Sequence, residues 1–559
     1  MHPTQPYNEI QGDLALYRTS GQIDSHFSFF ALPEKAKNWL PLVSNRDPQR
    51  EVERILSGFQ LQSGKLVIVR GISAGPTLHR LLKMQKNQGG WIVVLEADSL
   101  LAKAISEQVP GLTVFHPESL ENLQHYLETF PVEEMSGYRF IGNAAIRLKP
   151  EFYSETELLF KKMLSSRISD LFTRMEFEPV WIFNALSSLK HLQRARPVSG
   201  LFNQFHGPAI LVSTGPSLRH SLPWLKQNQD KIFLACADSA YRVLHRSGIS
   251  PDLIVSLDSQ PYTARHFGNL PKGKPGNGPV LYADLVANPQ VVNEWQGDLL
   301  LGQTAHWLGD ERHITPGCDF LEGQFFKEYT GKIPGDVQSG GSVATSAFDL
   351  LRQLGFESII LVGQDLAYTN REIHCSGTHH TDIWLSKPVN RFKPLETINE
   401  QVIRKRHVQM TPGLRGKNVP ADYVLGLYAK WFAEAAATVP TEILNGSYDG
   451  LVVPGLKPLN LQQYTPPQDA PKMRMLWNST TLPEFPVSKE SIDNFYSDLG
   501  KLEPAQVEVH PLFLRIGRKF HVSAVRAKTE EERNRKLERQ REEKHHFMRR
   551  LRRKLLGNL

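Results

Sequence analysis

The stretch Ala209-Ile210-Leu211-Val212-Ser213-Thr214-Gly215-Pro216-Ser217-Leu218 decides the fold. Four apolar residues in a row suit a strand buried on both faces, and the small, polar residues behind them suit a tight loop that opens a helix. The same pattern recurs downstream. Ile232–Ala235 closes on Asp238, Leu253–Leu257 on Asp258, and Ile359–Val362 on Gly363-Gln364-Asp365, with further strands expected at Pro279–Ala283 and Asp298–Gln303. Strands that alternate with helical stretches, each ending on a polar residue, predict a doubly wound, Rossmann-like α/β domain. In such a sheet ligands bind outside the carboxyl ends of the strands.

Upstream, Leu66–Val69, the loop Gly71-Ile72-Ser73-Ala74-Gly75-Pro76 and Trp91–Leu95 closing on Asp98 form another β-loop-α-β unit. Gly75 and Asp98 precede Gly215 and Asp238 by the same 140 residues. Two related halves would give this match, and so would the shared geometry of any two such units. The pocket around Gly71, Gly75 and Asp98 is either a second nucleotide site or scaffold, with scaffold preferred. Residues 1–60 show no clear strand alternation. The expected organisation is a smaller α/β domain over 1–200, the central domain over 201–395, a mainly helical region over 396–525 and a basic amphipathic helical tail over 526–559. In that tail Phe547, Met548, Leu551, Leu555 and Leu556 share one side.

A chain of 559 residues with 40% hydrophobic and 22% charged residues is a folded multidomain protein. The net charge of +7 resides in the tail: Val525–Leu559 carries 13 Lys and Arg against 6 Glu, so the remainder is balanced. A basic groove for nucleic acid is therefore not expected. No apolar run reaches the roughly 20 residues of a transmembrane helix, and the first residues lack the basic-then-apolar pattern of a secretory signal, so a cytoplasmic protein is expected. Three cysteines, none at ligand spacing, predict neither a disulfide framework nor a cysteine metal centre.

Several residues suit chemistry on an anionic ligand. Gly215, Pro216 and Ser217 place a bare backbone and a hydroxyl at a helix amino end, where free N–H groups attract phosphate; the same residues also make a plain turn and cap. Asp238, Ser239 and Asp258 stand at adjacent strand ends, suited to ribose hydroxyls or a cation on phosphate. A second small-residue loop, Ser339-Gly340-Gly341-Ser342, opens another helix. His374, His379 and His380 follow Gln364 and Asp365, and one of them is the candidate base for an acceptor hydroxyl. A histidine metal site is not expected, because adjacent His379 and His380 seldom share an ion.

In this order, Gly215-Pro216-Ser217-Leu218, Ala237-Asp238-Ser239-Ala240, Val255-Ser256-Leu257-Asp258, Ser339-Gly340-Gly341-Ser342-Val343-Ala344 and Val362-Gly363-Gln364-Asp365-Leu366-Ala367-Tyr368-Thr369 resemble the core of the motility-associated factor (Maf) family, implicated in glycosylating bacterial flagellin. That core is similar in turn to bacterial CMP-sialic-acid sialyltransferases, whose Gly-Asn-Gly-Pro-Ser-Leu loop touches the nucleotide. Ser213 and Thr214 depart from its Gly-Asn, and Asp238 stands where those enzymes have Asn. The resemblance implies inverting transfer of a nonulosonic acid from a CMP donor to Ser or Thr of flagellin, with flagellin and its chaperone as partners. It implies Gly215, Pro216, Ser217, Asp238, Ser239, Asp258, Ser339, Gly340, Gly341, Ser342 and Gln364 around the nucleotide sugar, and His374, His379, His380 and Asp365 at the chemistry. No cofactor is required, although a divalent cation is admissible. The same core resembles 6-hydroxymethylpterin diphosphokinases, which implies pyrophosphoryl transfer from ATP with Asp238, Asp258 and Asp365 on magnesium. A flagellin-binding protein without catalysis is the third reading.

Overall fold

The computed structural model describes residues 8–19, 29–34, 36–44, 47–71, 76–142, 144–303, 337, 340–386, 391, 392, 394–467, 470–474, 477 and 482–556. The chain divides into two compact units, one of residues 1–178 with 513–547 and one of residues 179–512 with 548–559.

The first unit opens with an antiparallel sheet of β1 (Asn8–Gln11), β2 (Ala15–Thr19), β3 (Phe29–Pro33) and β4 (Leu40–Pro41). These strands lie where no alternation was expected, because they are two to five residues long and too short to display a period. A parallel sheet follows, built from β5 (Lys65–Arg70), β6 (Trp91–Leu95), β7 (Thr113–Phe115) and β8 (Gly137–Gly142) in the order β7-β6-β5-β8. Alternate residues serve opposite faces: Val67, Val69, Ile92 and Val94 pack with Leu78, Leu81 and Tyr17, whereas Leu66, Ile68, Val93 and Leu95 pack with Leu123, Leu127, Phe160 and Val522. Val522 comes from the far end of the chain. At the end of β6, Asp98 is buried and accepts hydrogen bonds from Tyr17 Oη at 2.9 Å, Leu14 N at 2.8 Å and Leu101 N at 3.0 Å. Its oxygens are committed to holding the two sheets together, which makes it scaffold. Gly71 adopts φ +82°, and Gly75 lies outside the described residues.

The second unit carries a nine-stranded, wholly parallel sheet. Its strands are β9 (Arg196–Pro197), β10 (Pro208–Val212), β11 (Phe233–Ala237), β12 (Leu253–Ser256), β13 (Val280–Asp284), β14 (Leu299–Gly302), β15 (Ser358–Val362), β18 (Glu442–Asn445) and β19 (Lys457–Pro458), while β16 (Val408–Pro412) and β17 (Asn418–Asp422) pair as a separate hairpin. The spatial order is β19-β18-β15-β10-β11-β12-β13-β14-β9. On one face Ala209, Leu211, Phe233, Ala235, Leu253 and Leu361 pack under Ala347, Phe348, Leu351 and Leu354 of the helix Val343–Leu354 and Phe432 of the helix Tyr423–Thr438. Residues of the intervening register, among them Ile210, Val212, Leu234, Cys236 and Ile254, are equally buried, so both faces are covered.

The α/β, doubly wound character holds, with different boundaries. The first unit ends at Glu178 rather than 200, and it takes residues 513–547 from the region expected to be separate. The central sheet does not stop at 395, since Glu442–Asn445 pairs with β15 and extends it. The region after 396 is thus not simply helical. Two to five residues per strand, several of them proline, hid these elements. The tail is helical over Glu530–Leu551, but its apolar side is not free: Phe547, Met548 and Leu551 are 5%, 2% and 0% exposed. No described helix is long and apolar enough to cross a membrane.

Candidate functional site

From β10 the chain steps outward through β11, β12, β13 and β14 on one side, then returns to place β15 on the other side of β10. This reversal is a topological switch point, and it opens a crevice at the carboxyl ends of β10 and β15. Ser213–Ser217 leave β10 there, Gly363–Asp365 leave β15, and Asp238 and Asp258 follow β11 and β12. Behind the crevice Asn184 donates to the carbonyl oxygens of Ser259 at 3.0 Å and Val286 at 2.9 Å, which ties the loops after β12 and β13 to one helix.

The loop after β10 is closed on itself by Asp365. The Asp365 carboxylate accepts from Ser217 N at 2.8 Å, Ser217 Oγ at 2.6 Å and Thr369 Oγ1 at 2.5 Å. Gly215 N donates to Gly363 O at 2.7 Å. A side chain at Gly215 would start 2.3 Å from Asp365 Oδ1 and 2.5 Å from Gly363 O. Gly215 is therefore glycine to admit a carboxylate of the protein, and the Ser217 N–H expected to face a phosphate is already engaged. The expectation that this helix end cradles the donor phosphate is corrected on that ground. Burial pushes the Asp365 carboxyl up to about 6 against the pull of Ser217 and Thr369. The turn that carries it is strained: Leu366, Asn370 and Arg371 adopt φ of 52°, 52° and 58°, of which only Asn370 is a residue that enters this region readily.

Asp238 is buried as well, with Oδ1 accepting from Ser239 N at 2.7 Å and Oδ2 from Ser256 Oγ at 2.9 Å. Burial, opposed by those two bonds and assisted by the charge of Asp258, raises it to about 7. Asp258 accepts from Gln260 N at 2.9 Å and from the Tyr262 hydroxyl. In the second loop Ser339 lies outside the described residues. Gly340 packs under Trp431, whose ring a side chain there would meet at 2.5 Å, and Gly341 takes φ +89°. Ser342 caps the helix by accepting from Thr345 N at 3.2 Å, while Thr345 Oγ1 accepts from Gly340 N at 3.0 Å. Gln364 N donates to Ser447 Oγ at 3.0 Å.

The histidines do converge. His374 and His380 stack with ring centroids 5.1 Å apart, and His379 lies 6.1 Å from His380. A fourth histidine joins them: the His266 ring is 5.7 Å from His380 and 6.0 Å from His379. Tyr262 and Trp384 complete the aromatic wall, 6.4 and 6.3 Å from His380. His374 Nδ1 lies 3.3 Å from Thr214 Oγ1, and Thr214 Oγ1 lies 3.5 Å from Ser239 Oγ, so the cluster abuts the ends of β10 and β11. Burial lowers all four imidazoles, assisted by neighbouring histidines at His266, His374 and His379, and brings His374 to about 4 and His266 to about 3. They are neutral at physiological pH, the state in which an imidazole can accept a proton.

The structure thus brings together His374, His379, His380, Ser239, Thr214 and the Asp238–Asp258 pair, and it draws Gly215, Pro216, Ser217 and Asp365 into a self-contained knot beside them. Sequence reasoning missed His266, Tyr262 and Trp384. The helix Ala264–Phe267 is four residues long and more than a hundred positions from His374, so no local spacing signalled His266.

A doubly wound α/β chain with its site at a switch point is a nucleotide-type architecture. Residues 183–371, within the second unit, match the family model described as 6-hydroxymethylpterin diphosphokinase MptE-like. The fold is shared with the structure of the Maf glycosyltransferase from Magnetospirillum magneticum AMB-1, with a TM-score of 0.53 and 14% identity over 91% of this chain and 84% of that one. Two proteins of Treponema pallidum (strain Nichols), each described as an uncharacterized protein, are 28% identical over 18% of this chain and 26% identical over 38% of it. The alignments span 49% and 58% of those relatives, so the chain matches about half the length of each.

Proposed function

We propose that this protein is a glycosyltransferase that moves a nonulosonic, sialic-acid-like sugar from a CMP donor to Ser or Thr hydroxyls of flagellin in the cytoplasm, with flagellin or its chaperone complex as partner and no role for nucleic acid. The observation that carries this reading is the cluster of neutral histidines against Thr214 and Ser239 at the ends of β10 and β11. The fold shared with a Maf glycosyltransferase supports it. His380 is the base: it takes the acceptor proton as the hydroxyl oxygen attacks the anomeric carbon, and the bond to the CMP phosphate breaks on the opposite face. His374, stacked on it and held by Thr214, positions the ring. The leaving phosphate is stabilised by donors of the histidine side and not by the Gly215–Ser217 backbone, which Asp365 occupies. Asp238, Ser239 and Asp258 line the nucleotide sugar, Gly340, Gly341, Ser342 and Gln364 shape the loops beside it, and no cofactor is required.

The family-model match favours a second reading, pyrophosphoryl transfer from ATP. Its magnesium would need free carboxylate oxygens, yet Asp365 already accepts three hydrogen bonds and Asp238 two. The residues present fit that cation poorly, and the sugar-transfer reading is preferred. Calorimetric titration of the full chain with CMP and with Mg-ATP separates the two. CMP binding with no Mg-ATP binding is expected; Mg-ATP binding alone overturns the reading, as does unchanged flagellin glycosylation in a deletion strain.

A further inference from the structure

Buried polar atoms without partners concentrate beside the histidines. Arg242 comes from the helix Asp238–Arg246, Thr263 and His266 from the turn Pro261–Thr263 and the helix Ala264–Phe267, and His379 from the first residue of the helix His379–Leu385. Among the described residues Arg242 Nε, Thr263 Oγ1, His266 Nδ1 and His379 Nε2 are side-chain atoms buried without a hydrogen-bond partner. Thr263 is 0% and His266 5% exposed. Each such atom left unpaired costs roughly 1–3 kcal/mol, so four in one neighbourhood call for a ligand.

The chemistry of the four points one way. The other guanidinium nitrogens of Arg242 are taken, Nη1 by Gly268 O at 3.1 Å and Nη2 by Asp382 at 2.9 Å, which leaves Nε–H as a fixed charged donor. The hydroxyl of Thr263 is a donor also, and each neutral imidazole donates from whichever ring nitrogen carries its hydrogen. The His266 and His379 rings lie 6.0 Å apart at 84°, edge to face, and the Arg242 charge reaches both imidazoles and helps to lower them. A cation is disfavoured by that guanidinium; a compact oxyanion is matched by it.

We propose that Arg242, Thr263, His266 and His379 form a subsite for a compact oxyanion, a carboxylate or a phosphate, carried by the donor. The donor's identity rests on the function proposed above, whereas oxyanion binding does not. The test titrates the full chain by calorimetry with inorganic phosphate, with N-acetylneuraminate and with CMP, in the wild type and in Thr263→Val and Arg242→Lys. Thr263→Val removes a hydroxyl without touching the Arg242–Asp382 pair, and Arg242→Lys keeps the charge while deleting Nε–H together with the Nη bonds to Gly268 and Asp382. At least one of phosphate and neuraminate is expected to bind, and to bind at least tenfold more weakly to both variants, with the melting temperature of Thr263→Val unchanged. Weakened phosphate and CMP binding assigns the group to the phosphate; weakened neuraminate binding alone assigns it to the carboxylate. No binding of either small anion to the wild type, or equal binding to all three proteins, overturns the subsite. If CMP fails to bind while phosphate binds and is weakened by both substitutions, the donor assignment falls and the subsite stands.

Discussion

Gly215→Ala separates two reasons for a glycine at the end of β10. Its φ is −57°, so alanine is allowed by the backbone and only the surroundings object. The added carbon would lie 2.3 Å from Asp365 Oδ1, 2.5 Å from Asp365 Cγ and 2.5 Å from Gly363 O. Gly363 is itself locked at φ +67° with Ser213 O 2.5 Å from where its own side chain would begin, so that carbonyl cannot easily retreat. Relief must come from Asp365, at the expense of its bonds to Ser217. Overpacking costs roughly 1–3 kcal/mol and a weakened hydrogen bond to a charged group about 1.5–3 kcal/mol, which together give about 2.5–6 kcal/mol. At roughly 2–4 °C per kcal/mol the melting temperature should fall by about 5–24 °C in differential scanning fluorimetry. Gly426→Ala is the control: it sits within the helix Tyr423–Thr438 with nothing inside 4 Å, and should be neutral or stabilising by about 0.5–1 kcal/mol. The reasoning is refuted if Gly215→Ala melts within about 1 °C of wild type and loses only nucleotide affinity, since that is the behaviour of a glycine kept for an approaching phosphate.

Asp238 has its pKa raised to about 7 from the ordinary 3.8, so folding favours its protonated form; the associated stability is present below about pH 4 and is lost as pH rises towards 7. Asp238→Asn should flatten that fall, and a denaturation midpoint that keeps the wild-type slope between pH 4 and 7 would contradict the assignment. His380→Gln should lower sugar transfer by about 10²–10⁴-fold while CMP binding stays within a few fold, as measured by turnover against calorimetry. Leu551→Ala, at a fully buried position of the tail, should destabilise by about 2–5 kcal/mol in urea titration; a shift under about 0.5 kcal/mol would return the tail to the surface. Tyr17→Phe removes one of the three donors to the buried Asp98 carboxylate and should cost about 1–3 kcal/mol by the same assay, with no loss meaning that the remaining donors suffice.

How much of this could be read from sequence follows from the length of each signal. The runs Leu66–Val69, Ala209–Val212 and Ile359–Val362 announce themselves because a parallel strand buried on both faces must be apolar throughout. Strands of two to five residues such as Leu40–Pro41 or Glu442–Asn445 carry no period and become visible only through their partners. The site divides similarly. His374, His379 and His380 are close in sequence and could be picked as a group, but His266 reaches them through the fold alone. Gly215-Pro216-Ser217 could be recognised as a helix opening; what fills it could not, because Asp365 approaches from 148 residues away.

The first unit is completed by residues 513–547, whose Val522 enters its core and whose Arg515 and Arg518 meet the buried Glu178 at 3.5 and 3.2 Å. During synthesis the N-terminal portion must therefore wait for residues 179–512 to emerge, roughly half a minute at the usual 5–20 residues per second. Over that interval Leu66, Ile68, Leu123 and Leu127 lack the Val522 that caps them, and the nascent protein needs a holding chaperone or a slow-aggregating intermediate that a protein with consecutive domains would not.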